Sequence, residues 1–259
     1  MSAYGVFKQP HATGRIALSA TAWPLKSQVP TAASTSNSTS HITIFHLTSE
    51  TATAQRGLVD YLRSVFSDVV DEGLTYPQED KVTPESFEAY FLAGDLLVGI
   101  HDPSATISGD FGAIAGREAT TVVHQSLESA KGTKDWRDAI VGFYYVKPNY
   151  PGRSSHICNG GFVVPTIHRG KGYASALAKS FLHYAPALGY KASVFNLVYT
   201  NNLASVRLWD NLGFTKVGRI PNAGRLKRKD GPGEEYVDAW VIYRSFEEAG
   251  VEGSSSTGS

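Results

Sequence analysis

The sequence has 259 residues, of which 42% are hydrophobic and 19% are charged, values ordinary for a soluble globular protein of one large or two small domains. Lysine plus arginine and aspartate plus glutamate number 24 each, so no net field draws the chain towards nucleic acid or an anionic membrane. The single cysteine, Cys158, excludes an internal disulfide framework. Because no apolar run is as long as a membrane span and the N-terminus shows no secretory signal, we expect a cytoplasmic protein, with a mitochondrial or nuclear location left open.

The first 40 residues are predicted to be an arm and a linker outside the main domain. Apolar groups such as Leu18 and Trp23 suggest that part of the arm packs on the body as an early strand. Residues 31–40 are low in complexity and cannot bury apolar area. A single domain is expected over residues 41–246, followed by a disordered tail at 247–259 that is rich in Gly, Ser and Thr.

The first half of the predicted domain mixes strands and helices. Alternation predicts a strand over 41–47, and apolar residues at helical spacing predict a helix over 54–72. A second helix is predicted to begin at Thr83, with Pro84 in its favoured first position. After a short strand at 96–100, residues 101–138 are rich in small residues and weakly periodic, so we expect a partly mobile insertion within a hairpin.

The second half has the order β-β-α-β-α-β-β, which predicts an α/β fold, or α+β by strict class. Its predicted strands cover residues 139–146, 156–164, 191–197, 214–220 and 235–243, and its second helix covers 203–212. Residues 159–189 form the centre of this half. They are predicted to form a strand, a glycine-rich turn and a long amphipathic helix.

The glycine-rich turn has the features of a phosphate-binding loop. Amide groups at a helix N-terminus attract anions because they lack intrahelical partners and lie at the positive end of the dipole. The turn does not fit the dinucleotide fingerprint, because Ser175 holds the third glycine position, and it lacks the Gly-Lys-Ser/Thr of a P-loop. The pattern Arg169-x-x-Gly172-x-Ala174 instead resembles the pyrophosphate loop of the GNAT acetyltransferases, which bind acetyl-CoA.

A second motif strengthens this resemblance. Asn202, followed by Leu212, Gly213 and Phe214, is similar to the second GNAT signature and follows the loop at the expected separation of one helix and one strand. The resemblance implies a GNAT fold with a mixed central sheet, splayed at the cofactor site and flanked by helices. It implies acetyl-CoA as the acetyl donor and no metal. The residues expected to bind this cofactor are Phe162, Val163 and Val164 through their backbone, the loop Arg169, Gly170, Lys171, Gly172, Tyr173 and Ala174, and Asn202 with Ser205. For Asn202, a plain helix N-cap is the alternative.

Several segments show a narrower resemblance, to the fungal proline-analogue N-acetyltransferases. They cover residues 75–78, 144–150, 155–164, 185–198, 202–214 and 220–226. This resemblance implies a homodimer that acetylates a small cyclic amino acid such as azetidine-2-carboxylate by direct attack in a ternary complex. It implies that Asn159 and Asn196 form the catalytic pocket and hold the substrate carboxylate, and that Tyr76, Phe162 and Trp209 wall the site. The alternatives are that the two amides join strand edges and that the aromatic residues only fill the core.

The sequence does not single out a general acid or base. Many GNAT enzymes place a tyrosine where Trp209 stands, so we expect catalysis mainly by positioning. Cys158 is expected to be a core residue. The basic cluster Arg225, Lys227, Arg228 and Lys229 is expected to be a solvated hairpin rather than a clamp for the 3′-phosphate.

Two other functions stay open at this point. One is a protein, peptide or other small-amine N-acetyltransferase, in which the 101–138 insertion would contribute to an open groove. The other is a non-catalytic CoA-binding protein, suggested only by the missing tyrosine at Trp209.

Overall fold

The computed structural model describes residues 17–25, 40–102, 113–114, 117–118 and 121–247. The predicted tail from residue 248, the linker up to residue 39 and parts of the 101–138 insertion lie outside these described residues. Among the described residues, no helix is long and apolar enough to span a membrane.

The centre of the fold is a nine-stranded sheet with the order β10-β11-β9-β8-β7-β3-β2-β1-β6, accompanied by a separate two-stranded sheet of β4 and β5. The strands are β1 (Ala20–Pro24), β2 (His41–Leu47), β3 (Asp95–His101), β4 (Ala113–Ile114), β5 (Arg117–Glu118), β6 (Thr121–Val123), β7 (Ile140–Pro148), β8 (Ile157–Val163), β9 (Ala192–Tyr199), β10 (Thr215–Lys227) and β11 (Glu234–Ser245).

The sheet is mixed, and it opens at one place. Its neighbouring strands are antiparallel except β8 and β9, which are parallel and pair only at Ile157–Ala192 and Cys158–Ser193. Beyond those two pairs the ladder between β8 and β9 stops, so the strands leave a gap. The predicted mixed sheet with a splayed centre is confirmed.

A β-bulge in β9 faces this gap. The register with β11 passes from Val198–Trp240 to Phe195–Ile242. Two residues of β9, Asn196 and Leu197, therefore stand opposite the single residue Val241. Bulges of this kind bend a strand and redirect its side chains.

One edge of the sheet includes residues from the predicted arm and from the insertion. β1 pairs with β2 on one side and with β6 on the other. The early strand expected in the arm is thus present, and the sheet extends beyond the expected domain start at residue 41. β3 and β7 pair with each other, as expected for a hairpin carrying an insertion. Within the described part of that insertion the chain forms β4, β5 and β6 and two short helices, the second of which ends at Ala139.

The helices are α1 (Ser49–Thr53), α2 (Leu58–Glu72), α3 (Pro84–Phe91), α4 (Leu127–Lys131), α5 (Trp136–Ala139), α6 (Tyr173–Ala187) and α7 (Leu203–Asn211). The helix predicted over 54–72 is wrong at its start, because α2 begins at Leu58, directly after Gly57 with φ 74°. The short helix α1, which ends at Thr53, was not predicted. Thr83 caps α3 by accepting a hydrogen bond from the Ser86 amide, with Pro84 at the first helical position as predicted.

Two apolar clusters cover the two faces of the sheet. Phe66 of α2 and the α3 residues Phe87 and Phe91 belong to the first, together with Tyr145 of β7. Phe181 of α6 and Trp209 of α7 belong to the second. The sheet therefore separates an α2/α3 face from an α6/α7 face, and the gap between β8 and β9 connects them.

The last hairpin is longer than predicted. Residues expected to form a loop continue β10 to Lys227, because the register shift between Ile220 and Gly224 interrupts the alternation that a sequence pattern can detect. The Lys227 amide donates to Gly73 O at 2.9 Å, and its ammonium donates to Asp71 O at 2.6 Å. The hairpin thus folds back onto the C-terminal end of α2.

Candidate active site

A cleft of about 600 Å³ opens where β8 and β9 separate. Residues from the end of α2, the loop after it, β8, the start of α6, β9 and α7 line this cleft. The predicted site residues among them are Tyr76, Asn159, Phe162, Val163, Val164, Arg169, Ala174, Asn196, Asn202, Ser205 and Trp209. The fold therefore brings most of the predicted cofactor and acceptor residues into one cavity.

The glycine-rich loop lies beside the cleft, at the N-terminus of α6. Gly170 and Gly172 adopt φ of 76° and 84°, and Gly172 is the N-cap residue of the helix. A Cβ atom added to either glycine would meet no atom within 4 Å, so open space lies above the loop. An anion could approach the first amides of α6 there, which is the geometry that a pyrophosphate needs.

Not every loop residue faces the cleft. Gly170, Lys171, Gly172 and Tyr173 do not line it. Tyr173 is buried, and its hydroxyl forms a hydrogen bond of 3.0 Å with His101 Nδ1. The Tyr173 side chain thus packs the loop onto the sheet, and only its backbone amide is available for the predicted cofactor contact.

Arg169 is held by a carboxylate that the sequence patterns did not reveal. Its guanidinium donates to Glu72 Oε2 at 3.0 Å and, through Nε, to Val164 O at 3.3 Å. Thr166 Oγ1 donates to the other Glu72 oxygen at 3.3 Å. Glu72 therefore ties the end of α2 to the phosphate-binding loop and offsets the charge of Arg169.

The β9-facing edge of β8 is open along the cleft. Residues 159–163 of β8 lie beyond the two parallel pairs with β9. Tyr76 reaches this region and donates from its hydroxyl to Phe162 O at 3.2 Å. An extended chain could thus lie against this edge in the way that a peptide adds to a sheet.

Asn202 is an N-cap, as the alternative proposed. Its Oδ1 accepts a bond of 3.3 Å from the Ser205 amide, and both residues line the cleft. The capping bond uses the side-chain oxygen, and it leaves the amide NH₂ group out of the cap.

The aromatic wall also belongs to the core. The Phe162 ring lies 4.8 Å from that of Tyr144 and 5.1 Å from that of Trp209. Trp209 also contacts Phe195, at 4.6 Å between centroids. Phe162 and Trp209 therefore fill the core on the α6/α7 face and also form the apolar side of the cleft, so the two alternatives for them do not exclude each other.

Three asparagines form a hydrogen-bonded network on the side of the cleft opposite the aromatic wall. Asn159 Nδ2 and Asn196 Nδ2 both donate to Asn149 Oδ1, at 2.7 and 2.6 Å, and Asn149 Nδ2 donates to Asn196 Oδ1 at 3.1 Å. Asn149 is 8% exposed. Among the described residues, the buried Asn159 Oδ1 has no hydrogen-bond partner.

Asn149 is the residue that the sequence analysis missed. The predicted strand over 139–146 ended too early, because β7 continues to Pro148. A strand extended by two residues would have placed Asn149 directly after β7. Its proximity to Asn196, which is 47 residues away, depends on the tertiary structure.

Three tyrosines enclose the end of the cleft that holds the asparagine network. Tyr76, Tyr90 and Tyr145 line it, and Tyr145 donates to the Tyr90 hydroxyl at 3.1 Å. Burial raises the pKa of Tyr76 and of Tyr145 well above 10. Both hydroxyls therefore stay protonated at neutral pH. The half-buried Lys147 lies behind these rings, and burial lowers the pKa of its ammonium group to about 8.

Tyr199 lines the cleft where β9 ends. It is 2% exposed, and among the described residues its hydroxyl has no hydrogen-bond partner. Desolvation raises its pKa, so the hydroxyl is protonated at neutral pH and can act as a hydrogen-bond donor.

The remaining predictions concern Cys158 and the basic cluster. Cys158 is fully buried in the core as predicted, and desolvation raises the pKa of its thiol. Arg225 pairs with Glu79 at 2.8 Å and with Glu234 at 3.2 Å. Lys229 lines the cleft and donates to Asn201 O at 2.8 Å. The described residues contain no group of three or more His, Cys, Asp or Glu side chains that could hold a metal ion.

Comparison with known proteins identifies the family. The N-acetyltransferase aca1 of Schizosaccharomyces pombe is 39% identical over 177 residues, which cover 68% of this chain and 75% of that protein. A family model described as the Acetyltransferase (GNAT) family matches residues 120–214. The chain belongs to the GNAT acetyltransferase family. It is an N-acetyltransferase that uses acetyl-CoA, and the predicted family, fold and donor are confirmed.

Two other similarities are more distant. Protein SPT10 of Saccharomyces cerevisiae is 29% identical over 205 residues, which cover 73% of this GNAT chain but 31% of SPT10. The structure of a GCN5-related N-acetyltransferase from Kribbella flavida superposes with a TM-score of 0.55 at 21% identity, covering 78% of this chain and 97% of that one. The latter comparison supports the GNAT fold alone.

Proposed function

We propose that this GNAT enzyme transfers the acetyl group to the amine of a small proline-like amino acid, such as azetidine-2-carboxylate, in a ternary complex. The observation that carries the proposal is the network of Asn149, Asn159 and Asn196 at one end of the cleft. Neutral amides can donate to a carboxylate and accept from an amine within the same small pocket. A ring between the amides and the aromatic wall would fit the size and polarity of such an acceptor.

The amides have unused hydrogen-bonding capacity that suits an amino acid. Each NH₂ group carries two hydrogens, and the bonds to Asn149 use one from Asn159 and one from Asn196. The second hydrogens would donate to the acceptor carboxylate. Asn159 Oδ1 is buried and has no partner among the described residues, so it would accept from the substrate amine once the carboxamide turns towards the cleft.

The other predicted roles follow the same geometry. The loop from Arg169 to Ala174 would hold the pyrophosphate, the open edge of Phe162–Val164 the pantetheine, and Asn202 with Ser205 the cofactor arm. Acetyl-CoA supplies an acetyl thioester whose leaving thiol has an ordinary pKa of about 8.5 and needs little acid assistance. The chain would then act by orienting the amine and excluding water.

The test is thiol release from acetyl-CoA across a panel of proline analogues, common amino acids, polyamines and peptides. Wild-type enzyme is expected to turn over the cyclic amino acids. Asn196→Ala should reduce kcat/KM for them at least tenfold with an unchanged KM for acetyl-CoA, because it removes an acceptor contact and leaves the phosphate loop intact. Asn211→Ala, at the exposed end of α7, is the matched control. Equal activity of Asn196→Ala and wild type would refute the assigned pocket.

Turnover on peptides with none on amino acids would favour the alternative of a protein or peptide N-acetyltransferase. The alternative of a non-catalytic CoA-binding protein rests on Trp209 alone. It predicts tight acetyl-CoA binding without thiol release on any amine in the panel.

We also propose a homodimer, in line with the family resemblance. β10 is an edge strand that pairs with β11 alone in the nine-stranded sheet of the described residues, and it exposes Val217 and Ile220. A long edge strand with exposed apolar residues is a template for pairing with a second copy. Light scattering after size-exclusion chromatography should give twice the chain mass for wild type and the single mass for Ile220→Lys if β10 forms the interface.

The cytoplasm is the proposed compartment. A fluorescent fusion at the C-terminus, imaged beside mitochondrial and nuclear markers, would test it, and exclusive signal in either organelle would refute it.

A further inference from the structure

A lysine ammonium lies directly behind the wall of the cleft at its acceptor end. Lys147 Nζ is 4.0 Å from the ring centroid of Tyr90 and 4.1 Å from that of Tyr145. It also donates to Tyr90 O at 2.7 Å. Both rings line the cleft, whereas Lys147 does not. One layer of aromatic rings therefore separates this ammonium group from the site.

The ammonium group has no carboxylate partner within 4.0 Å among the described residues. The buried carboxylate of Asp95 contacts His46 at 2.9 Å, and side-chain alternation along β3 places Asp95 on the α6/α7 face. Lys147 lies on the α2/α3 face beside Tyr90. Its charge is stabilised by the negative faces of two rings and by a carbonyl, none of which neutralises it.

Lys147 belongs to the same surface as the asparagine network. Alternation along β7 directs Tyr145 and Lys147 to one face. Lys147 stands opposite Asn159 in the register with β8, so the two side chains share that face. The acceptor end thus combines three neutral amides with one uncompensated positive charge behind two tyrosine rings.

Lys147 is mostly protonated at neutral pH, as a role for its positive charge requires. Burial lowers the pKa of Lys147 to about 8, while the two ring faces and the Tyr90 carbonyl favour the charged form. The ammonium form therefore predominates at neutral pH. Removing a lysine charge from water costs free energy, and perturbed groups of this kind cluster at functional sites.

We propose that Lys147 is a specificity-determining residue whose positive charge selects acceptors that carry a carboxylate beside the amine. The inference rests on the proposed function and adds a physical basis for its substrate class. Neutral amides can hydrogen-bond a carboxamide as well as a carboxylate, so they favour the carboxylate only through the greater strength of a charge-assisted bond. For a carboxylate bound on the order of 8 Å from the ammonium group, Coulomb attraction at an effective dielectric constant near 20 favours the carboxylate over the carboxamide by about tenfold or more.

The test compares azetidine-2-carboxylate with its uncharged carboxamide, by thiol release and by calorimetric binding to the enzyme saturated with CoA. Lys147→Met removes the charge and keeps an apolar stem against the rings, whereas Lys147→Arg keeps the charge. Lys131→Met is the matched control, because Lys131 Nζ lies 5.1 Å from the ring of Trp136, which does not line the cleft.

We expect Lys147→Met to reduce kcat/KM and affinity for the carboxylate about tenfold, with little change for the carboxamide and none in KM for acetyl-CoA. Lys147→Arg should restore most of the preference, and Lys131→Met should match wild type. Equal losses on both acceptors, or no loss on the carboxylate, would overturn the assignment of Lys147. Wild-type enzyme that acetylates both acceptors equally would overturn this inference alone, and wild type that binds and acetylates neither would overturn the proposed function with it.

Discussion

Asn149 and Asn196 exchange two hydrogen bonds, of 2.6 and 3.1 Å, between the end of β7 and the middle of β9. β8 lies between these strands in the sheet, and the two carboxamides meet in front of it. Asn159 of β8 joins them by donating to the same Asn149 oxygen at 2.7 Å. The buried Asn149 thus fixes the positions of two amides that we assign to the acceptor.

Asn149→Ala is expected to remove acceptor binding without removing cofactor binding. Without the Asn149 side-chain oxygen, the NH₂ groups of Asn159 and Asn196 lose the hydrogen bonds that they donate to it. Leaving them unpaired should lower the unfolding free energy by about 1–3 kcal/mol. Denaturant unfolding measures this cost, and steady-state kinetics should show kcat/KM for the amino acid reduced by more than tenfold at an unchanged KM for acetyl-CoA. Asn211→Ala serves as the surface control. Wild-type kinetics in Asn149→Ala would show that the network does not position the acceptor.

Gly161→Ala is expected to disturb the tyrosine wall. A Cβ atom at Gly161 would lie 2.5 Å from Tyr145 Cε1 and 2.9 Å from the Tyr76 hydroxyl. Overpacking of this kind typically costs about 1–3 kcal/mol, and displaced rings should raise KM for the acceptor. Gly231→Ala is the control, because its added Cβ atom would meet nothing within 4 Å. Equal melting temperatures and kinetics for the two variants would contradict the prediction.

Glu72→Gln is expected to strengthen acetyl-CoA binding. Glu72 pairs with Arg169 at 3.0 Å, so a negative charge lies where the pyrophosphate is expected to bind. The amide keeps hydrogen-bonding capacity for Arg169 and Thr166 but removes that charge. Because the pair is partly exposed, we expect a modest decrease in Kd for acetyl-CoA, about two- to fivefold. Calorimetric titration at two salt concentrations measures it, and weaker binding would mean that the ion pair itself shapes the loop.

Stability should depend on pH through Lys147. Its pKa is about 8 in the folded chain and 10.5 in the unfolded one, so the unfolded chain binds more protons between these values. The unfolding free energy therefore rises with pH across this window. Above pH 10 the raised pKa values of Tyr76, Tyr144 and Tyr145 act in the opposite direction, because the unfolded tyrosines ionise first.

Melting temperatures of wild type and Lys147→Met between pH 7 and 9.5 isolate the lysine contribution. The variant is expected to be more stable than wild type at pH 7, and the difference should shrink as the pH rises. A difference that is independent of pH would contradict the lowered pKa.

Tyr199→Phe is expected to stabilise the free enzyme. Its hydroxyl is buried without a hydrogen-bond partner among the described residues, so its removal should add about 1 kcal/mol to the unfolding free energy. Tyr184→Phe is the matched control, and it should lower the unfolding free energy. The Tyr184 hydroxyl forms hydrogen bonds with Thr21 Oγ1 at 2.8 Å and Ser19 O at 2.9 Å, which the variant loses. Destabilisation by Tyr199→Phe would indicate that water satisfies the hydroxyl.

Features that depend on residues close together in the chain could be predicted from the sequence. The loop at Arg169–Ala174 and the cap at Asn202 depend on glycine conformations and capping groups within a few residues, so their patterns predicted them. The order of the long strands and helices followed from periodicity. Gly57 was the exception, because its positive φ delays the start of the first long helix to Leu58.

The rest depended on tertiary neighbours. Glu72 and Arg169 are 97 residues apart, and nothing near either residue indicates that they pair. The extension of β10 beyond Ile220 was missed because a bulge breaks its alternation. Lys147 was not recognised, because its significance comes from the rings of Tyr90 and Tyr145 and not from its own segment.

The bulge in β9 places Phe195 and Val198, which are three residues apart, on the same α6/α7 face, with Asn196 and Leu197 between them. Deleting Leu197 would leave Asn196 alone opposite Val241, while Phe195 would stay opposite Ile242 and Val198 opposite Trp240. Regular alternation would then keep Asn196 on the face away from Phe195, where it meets Asn149. The pocket can therefore lose the extra residue of the bulge without exchanging its polar side chain for an aromatic one.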